Sequence, residues 1–332
     1  MNQTIDFHET ILEKIFRWIK LPYPVVWFLL AVILFLLRNF ILIFERVKDV
    51  YSYLNALLSL ELFGLACGII WTCRKLEALL PNMVVLLEIK SDNVEDWYKN
   101  KVKSIFNNVG MLITGLIFLI VFWPLFFIYL EWESWLVSKN VLYFDYVYHG
   151  MIMIVAGMSQ FAFYRISGLF MGIDKLRLKS NIMHHKAEII TEVGKTLMQI
   201  GIMALSLLTL FSVIFYLSPL AKKYTNIISL LVIIFSVGTI FWFFITQWKF
   251  HKLLKNHKYK LINDISKHID TALNKILGKP QTNIIRQVNE LNFLLNQVRD
   301  IPEWSFNTRT LFSLLSTVVI PILAALIQLG FQ

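Results

Sequence analysis

Cysteine is almost missing from the sequence: Cys67 and Cys73 are the only two in 332 residues. Six positions apart on a helix they point in different directions, so neither a disulfide nor a metal clip is implied, and both read as small apolar fillers. Charge is also scarce, at 16% of residues against about 25% in soluble domains. The catalytic signatures are absent as well. No HExxH, GxGxxG, phosphate-binding P-loop or GxSxG pattern occurs, so the chain is not expected to be an enzyme, and no cofactor or metal ion is expected. The acidic side is the poorer one, with 22 Asp and Glu against 32 Lys and Arg, a net charge of +10. The basic residues lie between apolar runs, where positive charge marks the cytoplasmic side of a membrane, and a nucleic-acid partner is therefore set aside.

Apolar residues fill the space that these absences leave. The chain is 57% hydrophobic and 15% aromatic, with a mean hydropathy of +0.62, which places it among polytopic membrane proteins of all-α class. Seven runs have the roughly twenty residues that a bilayer core requires: Tyr23 to Phe44, Leu54 to Cys73, Val109 to Leu130, Val147 to Phe170, Thr196 to Leu217, Ile227 to Trp248 and Thr310 to Phe331. With the N-terminus inside, the outer loops hold only Arg46, Lys48, Lys139, Lys222 and Lys223, while the remaining Lys and Arg, apart from Arg38 and Arg165 within spans, fall on the inner side. That asymmetry predicts an N-inside, C-outside protein of the plasma or cell membrane.

Four parts follow in order: an interfacial amphipathic helix over residues 1–22, spans one to six over 23–248, a cytoplasmic helical hairpin over 249–308, and the last span over 309–332. Thr10 to Glu13 fits a capping box, and Ile11, Ile15 and Ile19 repeat every four residues behind it. In the hairpin, Ile284, Val288, Leu291, Leu295 and Val298 follow a four-three-four-three spacing, the seam of a coiled coil or bundle.

Polar residues inside the spans are the candidate sites. Arg38 and Glu61 lie at matched depth, both about 10 Å below the outer surface, and are expected to pair, whether as a structural ion pair or as a transport site. Gln160 lies deeper in the fourth span and needs a partner or a wet cavity, whereas Arg165 is placed to snorkel. His184 and Glu188 share a helix face beside His185, but no third ligand completes a metal site. Glu131, Glu133 and Asp145 are expected in the outer loop after the third span, where they would concentrate cations. In the last span Ser313, Thr317, Pro321, Ala324 and Gln328 fall within an arc of roughly 80°, a stripe that either borders water or packs closely on a neighbour.

The order of parts resembles the seven-transmembrane ion channels that include insect odorant and gustatory receptors. The shared features are an inside N-terminus, a sixth span prolonged into the cytoplasm, an antiparallel helix, and a short final span. Within that span Gln328 matches the family's Gln, while Pro321-Ile322 stands for its Thr-Tyr and Leu329 for its Phe; Phe306 to Leu311 reads like the family's entry to the helix. The resemblance implies a homotetramer joined through Ile284, Val288, Leu291, Leu295 and Val298, a central cation pore lined by the last-span stripe, and a small-molecule ligand among the outer halves of the other spans. A secondary transporter using Glu61 and Arg38, or a non-conducting scaffold or immunity-type protein, are the alternatives.

Overall fold

The computed structural model describes residues 9–46, 52–88, 93–133, 139–171, 177–178, 184–217, 219–278, 282–300 and 303. Ten helices account for nearly all of these: α1 (Ile11–Ile15), α2 (Tyr23–Phe44), α3 (Ser52–Ala78), α4 (Leu80–Leu86), α5 (Val94–Ile105), α6 (Asn108–Glu133), α7 (Lys139–Met171), α8 (His184–Leu217), α9 (Pro219–Gly278) and α10 (Thr282–Arg299). Two dipeptides, Leu87–Glu88 and Arg177–Leu178, pair antiparallel and tie the segment after α4 to the one after α7. The chain is all-α. Among the described residues, five helical stretches are long and apolar enough to cross a membrane: Tyr23–Phe44, Tyr53–Leu86, Val94–Phe122, Lys139–Ile166 and Glu192–Ile214. The expected sixth span falls inside α9, and the seventh, with its stripe of Ser313, Thr317, Pro321, Ala324 and Gln328, lies outside the described residues.

The N-terminal capping box forms as its residues dictate. The Thr10 hydroxyl accepts from the Glu13 backbone N–H, and the Glu13 carboxylate accepts from the Thr10 N–H at 2.9 Å. The helix is shorter than the spacing of Ile11, Ile15 and Ile19 predicts, because Phe16 leaves helical geometry at φ −112° and turns edge-on to Trp27, with ring centroids 5.1 Å apart. Glu13 also accepts from Arg74 at 2.5 Å, and Arg74 reaches Glu77 at 2.8 Å, so the start of the chain is fastened to the end of α3.

Helix α3 sits at the centre of the bundle, touching α2, α7 and α8, and its span is the most buried of the five. Its residues meet α8 in antiparallel order: a Cβ built on Gly64 would lie 2.7 Å from Leu207, and one on Gly68 3.3 Å from Met203. Helices α6 and α7 approach more closely still. A Cβ on Gly157 would come within 2.6 Å of the Phe118 Cβ and 2.8 Å of the Gly115 Cα, and a Cβ on Gly115 within 2.7 Å of the Ile154 carbonyl oxygen. Small residues that bring two backbones together are the usual adhesive of spanning helices, because lipid supplies no hydrophobic drive between them.

Helix α9 runs unbroken for 60 residues, about 90 Å, roughly three times a bilayer core. Helix α10 folds back along its distal end, where Ile265 and Ile269 meet Leu295 and Val298, with Leu261, Ile262 and Leu291 around them. The seam of α10 is thus used within the chain.

Replacing Gly157 by Val pushes a branched side chain into backbone, and it should lower stability by about 1–3 kcal/mol. Gly168→Ala, where a Cβ meets nothing within 4 Å, should leave stability unchanged or raise it by up to about 1 kcal/mol. Thermal unfolding of the two variants in the same detergent checks both signs.

Candidate functional site

A buried polar cluster lies where α2, α3 and α7 meet. Arg38 of α2 forks onto Asp145 of α7: Nε donates to Oδ1 at 2.7 Å and Nη2 to Oδ2 at 3.0 Å, with the two residues only 4% and 2% exposed. One turn along α7, the Tyr148 hydroxyl and Ser59 Oγ of α3 share a hydrogen bond of 2.6 Å. His149 is buried beside them, its Nδ1 2.8 Å from the Asp145 carbonyl oxygen, and Asn55, also buried, precedes Ser59 by a turn. Bidentate Arg–carboxylate geometry satisfies both partners, which is the condition under which a buried ion pair is tolerated.

The expected pairing of Arg38 with Glu61 is therefore replaced by one with Asp145, for two reasons. Helix α7 begins at Lys139, eight residues before the predicted start of the fourth span, so Asp145 lies on a buried helix face rather than in an outer loop. Glu61, in turn, occupies a different face of α3 from Ser59. At about 100° per residue it shares its face with Gly64 and Leu65, the side that meets α8. Glu61 is 2% exposed, and among the described residues its Oε2 has no hydrogen-bond partner. A carboxyl group in that position is expensive to keep without a compensating proton, cation or donor.

Other sequence candidates fall elsewhere. Gln160 is exposed on the outside of α7, not directed into the bundle. Arg165 is exposed too, with its guanidinium 5.3 Å from the Phe161 ring centroid. Glu131 and Glu133 belong to the last turn of α6 rather than to a loop, and His184, His185 and Glu188 open α8; the side chains of all five lie outside the described residues. Among the described residues no group of three metal-ligating side chains occurs. Neither Cys67 nor Cys73 forms a disulfide. The subunit-anchor residues Val288, Leu295 and Val298 are buried, with Leu291 packed on α9 beside them and Ile284 half-buried.

Sequence reasoning missed Asp145, Tyr148 and His149 as a group. Their signal was present as polar residues three and four positions apart on one helix face, divided between Asp145 in a stretch read as loop and Tyr148 and His149 at the start of the predicted fourth span.

Removing one partner of the fork should be worse than removing both. Arg38→Ala or Asp145→Ala should each cost about 3–5 kcal/mol, and Arg38→Met combined with Asp145→Leu should recover most of that loss. A double-mutant cycle on thermal unfolding of the full chain measures it. Compared with known proteins, the chain matches no family model, no curated protein and no solved structure.

Proposed function

We propose that this protein is an oligomeric, cation-conducting membrane channel with seven spans, an inside N-terminus and a pore lined by Ser313, Thr317, Pro321, Ala324 and Gln328 of the last helix. A small-molecule ligand among the outer halves of the other spans would gate it. The observation that carries the reading is the set of large apolar side chains that α10 leaves exposed. One face is spent against α9, while Phe293 opposite it and Ile285 and Leu294 on its two flanks remain exposed, bordering an open groove with Thr282, Arg286, Asn289 and Glu290. A helix outside lipid that packs on one neighbour needs one apolar face. Apolar groups exposed beyond that face suit a subunit contact, and four copies joined through these hairpins would gather their final helices around a common axis. This moves the subunit surface from the seam expected in the sequence to the opposite face of the same helix.

A second reading is favoured by one observation, the buried Glu61 carboxyl with an unpartnered Oε2. A carrier would use that group to take up a proton or cation from α3 in each cycle.

The first test is the protein mass of the assembly in lipid nanodiscs. The channel requires four times the 38.9 kDa chain, and a single-chain mass overturns it. Phe293→Glu should shift the assembly toward monomer, and Gln328→Leu should alter conductance or selectivity while assembly persists. Glu61→Gln separates the two readings: a channel keeps its currents, whereas a carrier loses substrate flux by at least tenfold.

A further inference from the structure

The outer face of α9 changes chemistry at one level. Leu230, Ile234, Val237, Phe241, Trp248, Lys252, Lys255 and Tyr259 follow one another at steps of four, three, four, seven, four, three and four, so all eight fall within an arc of about 60°. All eight are exposed. The stripe is apolar up to Phe241, carries an indole at Trp248, and is cationic immediately beyond. Other sides of the same turns are turned into the protein: Gln247, Leu253 and Leu254 are buried, and so is His251 beside the stripe, its Nδ1 2.8 Å from the Glu303 carbonyl oxygen. The helix is therefore held in one rotation, and the stripe faces outward by construction.

An apolar face that ends in an exposed Trp marks where hydrocarbon gives way to the polar interface. Lys252 lies about 6 Å past Trp248 along the axis and Lys255 about 10 Å past it, within the layer that phospholipid headgroups occupy. Among the described residues neither lysine has an ion-pair partner; Lys255 stands over the Tyr259 ring, 5.8 Å from its centroid. The same end of the bundle carries the exposed Trp18 beside α1: Phe244 packs with Met198 and Ile202, Met203 lies against Gly68, and Arg74 at the end of α3 holds Glu13.

We infer that the face of α9 around Lys252, Lys255 and Tyr259 binds the headgroups of anionic phospholipids, with the acyl chains lying along Phe241 and Val237. Each ammonium supplies a counter-charge to a phosphodiester, and the aromatic pair Trp248 and Tyr259 brackets the headgroup level. The inference rests on α9 alone, independently of the pore.

The test titrates full-length protein in a mild non-ionic detergent with dioleoylphosphatidylglycerol or, in parallel, dioleoylphosphatidylcholine, and follows the thermal unfolding midpoint, which rises with ligand occupancy. The glycerol lipid should stabilise the protein and the choline lipid should not. Lys252→Gln combined with Lys255→Gln should raise the half-saturating concentration of the glycerol lipid roughly 25-fold, about fivefold per lysine. Lys252→Arg combined with Lys255→Arg should keep wild-type binding. Lys267→Gln, about 28 Å beyond Trp248 on the same helix, should change nothing. Equal stabilisation by the two lipids, or a glutamine double variant that titrates like the wild type, overturns the inference. So does a double variant that loses assembly mass while its lipid titration is unchanged, since the face would then meet another subunit.

Discussion

The fork between Arg38 and Asp145 constrains the bundle more tightly than any apolar contact. Either charge alone in a spanning segment costs about 2.5–3.5 kcal/mol even on scales that allow snorkelling, so α2 and α7 are held to the one mutual rotation in which guanidinium and carboxylate meet twice. That rotation has consequences along α7. Tyr148, on the same face as Asp145, is delivered to Ser59 of α3. Gly157, about 120° further round, is delivered to α6, where its missing side chain lets the two backbones touch. One ion pair thus sets which face of α7 meets polar partners and which meets a neighbour's backbone.

Helix α3 is arranged on the same principle with the roles divided by face. Asn55 and Ser59 are buried on the side that meets α7, Phe63 stands edge-on to Phe28 of α2, and Gly64 and Gly68 admit the side chains of α8. Dispersion between closely approaching helices replaces the hydrophobic drive that water would supply.

Much of this architecture was legible in the sequence, because hydropathy measures depth. The first five spans coincide with observed apolar helices, the capping box of Thr10 and Glu13 forms, and the break at Gly278 ends α9. Helix length was not legible, since a helix continues past the apolar run wherever its backbone bonds remain satisfied. That is why α7 starts at Lys139 and α8 at His184. The error over Asp145 follows directly: a carboxylate beside Tyr143, Phe144 and Tyr146 looks like a loop when helices are assumed to begin where hydropathy rises. Matched depth made Glu61 a reasonable partner for Arg38, but depth says nothing about azimuth, and partners on neighbouring helices must agree in both. The seam of α10 showed a similar ambiguity, for a four-three spacing identifies an apolar face without saying whether the same chain or another covers it.

The two carboxyl groups at this depth have opposite chemical standing. Asp145 is fully committed, both oxygens engaged by one guanidinium, and a group so satisfied gains nothing from a further cation. Glu61 has an oxygen buried with no donor among the described residues, an arrangement that costs free energy whenever the carboxyl is charged. The fork is a satisfied contact between α2 and α7, and Glu61 an unsatisfied group on another face of α3. Since Glu61 shares its face with Gly64, against which Leu207 lies, its carboxyl is set on the side of α3 that meets α8. Its charge bears on that helix pair, whereas α2 and α7 are joined by the ion pair between them.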